Sequence, residues 1–306
     1  MRTPDTTLLV KLDPLITCKL DHLIKDNNLE YDPVKFKLAK MLGRSNTLRH
    51  AFHLVLETIF LRAWYVRREL WRLLRHIGPS PKILDAGMGF GQYSDRMMRI
   101  FTNADLIGLE IDRKHLYGNE KYFQLVHPKT RFVIGDVQAL PVGEDNFDLI
   151  LSVDVMEHIE DDVATFRGFY RILNPGGRVI IHTPRIVNED DAHLSHADRE
   201  ADDHEWTVDE HFRDGYTDSQ ARERLEAAGF EIERIVHGYG FFGKIAWNLL
   251  QRIPMSMLGM SQMMIFVVAI YLLVATPIAI VAMLLDMIPG EQPNGGSLLV
   301  VAQKPK

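Results

Sequence analysis

Residues 83–94 read Ile-Leu-Asp-Ala-Gly-Met-Gly-Phe-Gly-Gln-Tyr-Ser. The apolar start predicts a strand, the three glycines predict a tight turn, and the polar end predicts the beginning of a helix. Glycine allows the backbone to approach a ligand closely, and the start of a helix offers unpaired N–H groups to that ligand. The stretch therefore predicts a nucleotide-binding turn. A tight turn that binds no ligand is the alternative that these residues alone leave open.

The spacing of the glycines distinguishes this turn from two other phosphate-binding motifs. A dinucleotide-binding turn has the pattern G-x-G-x-x-G, but Gln92 stands where its last glycine would be. A P-loop requires Gly-Lys-Ser/Thr, and the turn contains no such string. A nicotinamide-dependent dehydrogenase is therefore disfavoured.

From residue 82 onward, short apolar runs alternate with longer helical or loop stretches. Strands alternating with helices predict an α/β fold with a mostly parallel sheet covered on both faces. The predicted strands are Lys82–Asp85, Asp105–Ile111, Arg131–Ile134, Phe147–Val153, Arg178–His182, Phe230–His237 and Ser297–Gln303.

Composition excludes several classes of protein. The chain has 306 residues, of which 46% are hydrophobic, so it is too apolar for a disordered protein. Cys18 is the only cysteine, which excludes an internal disulfide framework and favours a reducing, cytoplasmic compartment. The formal net charge of −6 argues against nucleic acid as a partner. Residues 1–10 lack the pattern of a signal peptide.

The pattern from Asp85 to Gly91, Asp-x-Gly-x-Gly-x-Gly, resembles the first motif of class I S-adenosylmethionine-dependent methyltransferases of the small-molecule type. Further motifs of that family follow in order. A second strand ends at Glu110, a third ends at Asp136, and Asn-Pro-Gly-Gly at 174–177 precedes a fifth. The resemblance covers roughly residues 80–240 plus a final strand, and it implies a Rossmann-like, doubly wound, seven-stranded sheet.

The resemblance implies S-adenosylmethionine as the cofactor and assigns roles to individual residues. Glu110 would hold the ribose hydroxyls, Asp136 would meet the adenine amino group with Val137 packed on the ring, and Asp85 would help to hold the cationic half. Met88 departs from the family, which often has a smaller residue there, and this matters little if only its backbone faces the ligand. The implied cofactor-binding set is Asp85, Gly87, Met88, Gly89, Gly91, Tyr93, Glu110, Ile111, Asp136, Val137 and Val153.

Methyl transfer needs a general base only where the acceptor must lose a proton. Histidine is the residue best suited to that role near neutral pH, and His158, His182, His204 and His211 lie near predicted strand ends. We prefer His211, which lies in the interval where the family builds its substrate lid, and then His158, which follows strand four. A purely structural role is the alternative for each of them.

Residues 188–214 contain eleven Asp or Glu, two Arg and four His. Side chains of these types can bind metals, but none has the spacing that makes a metal site specific. A solvated lid is the favoured interpretation, and we expect no metal.

Residues 253–285 contain no charged residue and are followed by a predicted strand of the same sheet. The run is too short for two full membrane spans, and Pro254 and Pro277 break helices. These constraints favour a shallow helical hairpin in one leaflet, with a dimer interface or an internal cap as alternatives. If the hairpin lies in a leaflet, a short turn in place of residues 253–287 should leave the fold intact.

Apolar residues recur at three- and four-residue steps from Thr47 to His76, which predicts one long helix. The stretch 44–78 holds seven Arg and only two Glu. Basic and aromatic side chains on a helix suit an anionic membrane surface. A helix that caps the cofactor cleft, with its arginines facing solvent, is slightly favoured over that interpretation. RNA is disfavoured by the overall acidity.

Together these observations predict an S-adenosylmethionine-dependent methyltransferase that acts on a small, lipophilic acceptor by in-line transfer. The alternative is a non-catalytic, methyltransferase-like binding or scaffold protein at a membrane. We expect a helical extension at 1–78, the methyltransferase domain at 79–242 plus 296–306, and a membrane-associated insertion at 243–295. The expected location is the cytoplasm, peripheral or monotopic on the inner face of the membrane. The sequence leaves the oligomeric state open.

Overall fold

A single sheet has the strand order β3-β2-β1-β4-β5-β7-β6 in the computed structural model. Strand β7 is antiparallel to both of its neighbours, and the other pairings are parallel. The structure describes residues 45–78, 80–112, 119–140, 146–188, 212–260, 264–290 and 292–306. The strands are β1 Lys82–Ala86, β2 Asp105–Glu110, β3 Thr130–Ile134, β4 Phe147–Val153, β5 Leu173–Pro184, β6 Glu231–Gly238 and β7 Ser297–Gln303.

Helices cover both faces of the sheet. They are α1 Asn46–Ile59, α2 Leu61–Leu73, α3 Gln92–Ile100, α4 Asn119–Val126, α5 Asp162–Ile172, α6 Asp218–Ala227, α7 Phe241–Trp247, α8 Ile253–Met260 and α9 Ile265–Asp286. Short 3-10 turns at Val137–Ala139 and Met156–His158 follow β3 and β4, and a π-helical segment, Asn248–Arg252, joins α7 to α8.

The predicted mostly parallel sheet is confirmed. Strands β4 and β7 have the predicted bounds, whereas β5 begins earlier, at Leu173, because Leu173 already pairs with Phe147 of β4. The central strands are buried on both faces, so they consist of continuous apolar runs and not of alternating ones. This burial is why they stand out in the sequence.

The prediction of one helix over residues 47–76 is wrong, because the chain leaves helical geometry at Phe60, whose φ is −96° and ψ is 111°. The indole N–H of Trp64 donates to the carbonyl oxygen of Glu57 at 2.9 Å, which satisfies an acceptor that the break would leave free. The break allows α1 and α2 to point in different directions. Helix α1 reaches the glycine turn, and α2 packs into the main core.

Helix α9 belongs partly to the core. Ala279, Ala282 and Met283 belong to the same buried hydrophobic cluster as residues of α2, β4 and β7. At its end, the Asp286 carboxylate accepts hydrogen bonds from the Tyr65 hydroxyl at 2.9 Å and the Gly243 backbone N–H at 2.8 Å. Because α9 supplies buried residues to the core, we now expect a short turn in place of residues 253–287 to destabilise the fold, against the expectation from the sequence.

Candidate functional site

The glycine turn between β1 and α3 adopts a conformation that requires glycine. Gly87, Gly89 and Gly91 have φ values of +80°, +53° and +83°. A methyl group added at Gly89 would meet no atom within 4 Å, so this glycine opens onto free space. A methyl group added at Gly87 would lie 2.4 Å from Val155, so here the turn packs directly against the segment that follows β4. The turn is therefore an open cradle on one side and tightly packed on the other.

Glu110, the last residue of β2, lies beside this cradle. Its carboxylate accepts hydrogen bonds from the backbone N–H groups of Gly89 at 2.8 Å and Asp112 at 3.0 Å. Carboxylate oxygens are acceptors of the kind that the hydroxyls of a diol require. Ile111, the next residue, is exposed.

Asp85 is buried at the end of β1 and accepts a hydrogen bond from the Ser94 hydroxyl at 2.6 Å. Burial and the nearby charge of Glu110 raise the pKa of Asp85 to about 7, against the opposing effect of the hydrogen bonds from Ser94. An acid that opens a turn is expected to accept hydrogen bonds from that turn, but the partner of Asp85 is the first turn of α3, which it ties to β1.

The remaining predicted cofactor residues lie along the same edge of the sheet. Asp136 follows β3, and its carboxylate accepts a hydrogen bond from the backbone N–H of Gln138 at 2.9 Å. Val137, next to it, is buried. The Met88 side chain turns away from the cradle into a cluster with Tyr122, Phe123 and Phe132, so only the backbone of Met88 belongs to the turn. Val153, at the end of β4, is half-buried.

The two histidines preferred from sequence have different outcomes. His158 lies in the short turn after β4, and its side chain is exposed. His211 lies outside the described residues, as do residues 189–210 of the acidic stretch. Among the residues that the structure describes, no group of three or more His, Cys, Asp or Glu side chains is arranged to hold a metal.

Helix α1 covers the glycine turn. His53 lies with its Nε2 atom 3.0 Å from the carbonyl oxygen of Phe90, and the buried guanidinium of Arg49 donates to the Asn119 side chain. Burial lowers the pKa of Arg49 to about 10, although Tyr122 opposes this shift. The interpretation of a capping helix is therefore supported here, but the expectation that its arginines face solvent is wrong for Arg49.

A polar cluster lies where β4 and β5 end; the sequence analysis named His182 and Tyr93 separately but missed their partners Asp154 and Arg62. The Asp154 carboxylate accepts from Arg62 of α2 at 2.7 Å and lies 2.8 Å from Nδ1 of His182. The Tyr93 side chain is hydrogen-bonded to Arg62 as well. Burial alone would raise the pKa of Asp154, but Arg62 and His182 lower it to about 2. Because Asp154 directly follows a predicted strand, its position at the sheet edge was the signal that could have identified it.

Glu157 lies below this cluster and is buried. Its burial and the charge of Asp154 raise the pKa of Glu157 to about 8. The pKa values of these two neighbouring carboxylates are thus shifted in opposite directions. Asp154 is kept ionised, and Glu157 favours its protonated form. Such divergence is common at functional sites.

A separate cavity of about 530 Å³ lies between α2, β6 and residues 286–293. The guanidinium groups that line it are already paired, Arg72 with Glu69 at 2.5 Å and Arg185 with Asp218 at 2.8 Å. The cavity does not include the glycine turn or the polar cluster.

The geometry fits S-adenosylmethionine. The cradle has free space at Gly89, an acid stands beside it at Glu110, and another acid follows the next strand at Asp136. The side-chain oxygen of Gln92, buried at the start of α3, has no hydrogen-bond partner among the described residues. All of these groups lie at the carboxyl edge of the sheet, where open α/β sheets bind their ligands.

Comparison with known proteins finds similarity to methyltransferases. Residues 84–181 match the sequence family described as a methyltransferase domain. The malonyl-[acyl-carrier protein] O-methyltransferase of Methylococcus capsulatus is 31% identical over 114 residues, which cover 36% of this chain and 40% of that protein. The sterol 24-C-methyltransferase of Pneumocystis carinii is 31% identical over 100 residues, which cover 31% of this chain and 26% of that protein.

A solved structure of phosphoethanolamine N-methyltransferase 2 from Haemonchus contortus, in complex with S-adenosyl-L-methionine, has the same fold. Its TM-score is 0.54 at 19% identity, with 86% of this chain and 58% of that chain covered. The family match places a methyltransferase domain at residues 84–181, and the strand order and the ordered motifs around it are similar to those of class I S-adenosylmethionine-dependent methyltransferases. Within that class, the similarity to the two curated relatives spans less than half of either relative's length.

Proposed function

We propose that this protein transfers the methyl group of S-adenosylmethionine to a small, lipophilic acceptor. The observation that carries this proposal is the arrangement of the glycine turn, Glu110 and Asp136 at the ends of three adjacent strands. When bound, the cofactor supplies an activated methyl group, and the protein must orient it and exclude water.

In this proposal each residue of the edge has a distinct task. The backbone of the turn at 87–91 would lie against the methionine half of the cofactor, and Glu110 would accept hydrogen bonds from the ribose hydroxyls. Asp136 accepts from the adenine amino group, with Val137 against the ring. Asp85 holds the start of α3 in place and contributes negative charge near the sulfonium. His158 and His211 remain candidates for a general base.

The lipophilic acceptor is inferred from the exposed surface of α9, which contacts α1, the helix that covers the glycine turn. Among the described residues, α9 is a helix long and apolar enough to cross a membrane by length and composition. One of its faces packs on the core, while Phe266 and Leu273 on the other face are each 77% exposed. A helix anchored along one side fits an orientation in the plane of a leaflet better than a crossing. The relative named as a sterol methyltransferase is consistent with an acceptor of this kind.

The test is transfer of label from [methyl-³H]S-adenosylmethionine into a total lipid extract of the source cells. We expect label in the organic phase with the wild-type protein and none with Gly89→Val, which fills the free space in the cradle. Calorimetry with S-adenosylhomocysteine measures cofactor binding separately. Binding without transfer to lipid or water-soluble acceptors would favour the non-catalytic alternative, and absence of binding would refute the proposed site.

A further inference from the structure

We propose that His182, oriented by Asp154, accepts the proton of the methyl acceptor, and that the acceptor group is therefore a hydroxyl. This inference rests on the proposed methyl transfer. It names a residue and an acceptor chemistry that neither the family motifs nor the comparisons assign.

The first support is the geometry of the pair. Nδ1 of His182 lies 2.8 Å from Oδ1 of Asp154, and the backbone N–H of Asp154 donates to the carbonyl oxygen of His182 at 2.9 Å. Asp154 has a φ of +52°, a conformation that is uncommon outside glycine. Arg62 binds the other carboxylate oxygen at 2.7 Å. His182 is thus held through both its imidazole and its backbone carbonyl.

The second support is an unsatisfied atom. His182 is only 3% exposed, and its Nε2 atom has no hydrogen-bond partner among the described residues. An ionised Asp154 can only accept, so Nδ1 carries the proton and Nε2 presents a lone pair. A buried polar atom of this kind ordinarily has a partner, and an acceptor hydroxyl would supply it. The same arrangement orients the histidine base of hydrolytic triads.

The third support is the position of the pair relative to the cofactor cradle. His182 of β5 is paired in register with Val153 of β4, the residue before Asp154. Val155, the residue after Asp154, is the side chain that packs against Gly87 of the glycine turn. The pair is therefore continuous with the wall of the cradle, on the side of β4 away from the adenine end.

The proposed step balances in charge and atoms. The acceptor oxygen forms a bond to the methyl carbon, the carbon–sulfur bond breaks with its electron pair moving to sulfur, and the hydroxyl proton passes to Nε2 of His182. The products are a methyl ether, neutral S-adenosylhomocysteine and an imidazolium next to Asp154. That proton then returns to solvent.

The matched variants are His182→Gln and His237→Gln. His237 also lies 2.8 Å from an aspartate, Asp218, but on β6, outside the proposed site. In the lipid-extract assay we expect His182→Gln to lower the rate of labelled methyl transfer by about 10²–10⁴-fold, the usual contribution of a general base. We expect His237→Gln to stay within about twofold of wild type. Both variants should keep their affinity for S-adenosylhomocysteine.

The orientation of the His182 imidazole can be tested by a measurement that needs no methyl acceptor. Nitrogen-15 NMR of histidine-labelled protein should show His182 as the tautomer with its proton on Nδ1, and Asp154→Asn should change that tautomer. Asp154→Asn should also lower the rate of labelled methyl transfer, because the imidazole loses the carboxylate that orients it. The other ionisable groups around the pair are Arg62, Tyr93, Glu157, His158 and Tyr239.

The outcomes separate this inference from the proposed function. If the wild-type protein transfers no methyl group, both are refuted. If His182→Gln transfers at the wild-type rate, or if Nε2 of His182 carries the proton, only the role of His182 is refuted. If mild alkali releases the label as methanol, the product is a carboxylate ester, which needs no base, and the hydroxyl assignment is refuted. A label that is stable to mild alkali and is released as methyl iodide by hot hydriodic acid is a methyl ether and supports it.

Discussion

Glu110 and Gly89 are joined by a hydrogen bond of 2.8 Å from the backbone N–H of the glycine to the carboxylate. The acid after β2 thus fixes the turn after β1, so two features that are 21 residues apart in sequence form one structural unit. This bond gives Glu110 a structural role in the free protein in addition to the proposed contact with ribose. Removing the carboxylate should therefore affect the turn and the ligand together.

We predict that Glu110→Ala weakens binding of S-adenosylhomocysteine by about 1.5–3 kcal/mol, as expected for hydrogen bonds to a charged group. The control is Asp105→Ala at the opposite end of β2, where the carboxylate is half exposed and pairs with Arg131. Asp105→Ala should leave the affinity unchanged. Calorimetry measures both variants, and an unchanged affinity for Glu110→Ala would show that this acid does not contact the cofactor.

Substitutions at Gly87 and at Gly89 should have different effects. Gly89→Val extends into free space, so we expect a folded protein that has lost cofactor binding, with a modest loss of stability from the positive φ. Gly87→Ala would press on Val155, so its main effect should be a lower unfolding temperature. Thermal unfolding and calorimetry on both variants check this. A folded Gly89→Val protein with wild-type affinity would refute the placement of the cofactor.

Asp85 should make stability depend on pH. In the unfolded chain Asp85 has its ordinary pKa of 3.8 and loses its proton above that pH. In the folded protein the raised pKa lets Asp85 keep the proton up to about pH 7. Between about pH 4 and 7 the folded state binds more protons, so this group lowers stability as the pH rises. We predict that Asp85→Asn raises the free energy of unfolding by about 2–4 kcal/mol at pH 8 and by little at pH 4.

The same variant should bind the cofactor less well, because it removes negative charge near the sulfonium. Urea unfolding at the two pH values and calorimetry at pH 8 measure the two effects. A variant that is less stable than wild type at pH 8 would show that Asp85 is ionised and well compensated in the folded protein.

The sheet and the cradle could be predicted because their signals are local in sequence. Strands such as β4 are continuous apolar runs, and the glycine turn lies within nine residues of the end of β1. Parallel strands align their carboxyl ends, so acids that follow β2 and β3 were expected at one edge, where Glu110 and Asp136 lie.

The break at Phe60 and the cluster around Asp154 depend on tertiary contacts. The apolar periodicity continues through Phe60, and the break is stabilised by Trp64 and by the core beneath it. Arg62 lies 92 residues before Asp154, and His182 lies 28 residues after it, so no spacing rule connects them. Only the packing of α2 across the sheet brings the three together.

The exposed face of α9 leads to the last prediction. Phe266 and Leu273 lie seven residues apart, about two helical turns, and thus on the same face, opposite the core contacts at Ala279 and Met283. If this face lies in a leaflet, the wild-type protein should pellet with liposomes, because burying apolar surface contributes about 25 cal/mol per Å². The double variant Phe266→Glu, Leu273→Glu should remain in the supernatant and still bind S-adenosylhomocysteine.

The matched control is Leu125→Glu on α4, where the side chain is 71% exposed but lies away from α9, and it should still pellet. Wild-type protein that stays in the supernatant, or a double variant that pellets equally well, would refute the membrane contact. If the wild-type protein is a dimer and the double variant is a monomer, this face is instead an interface between copies of the chain.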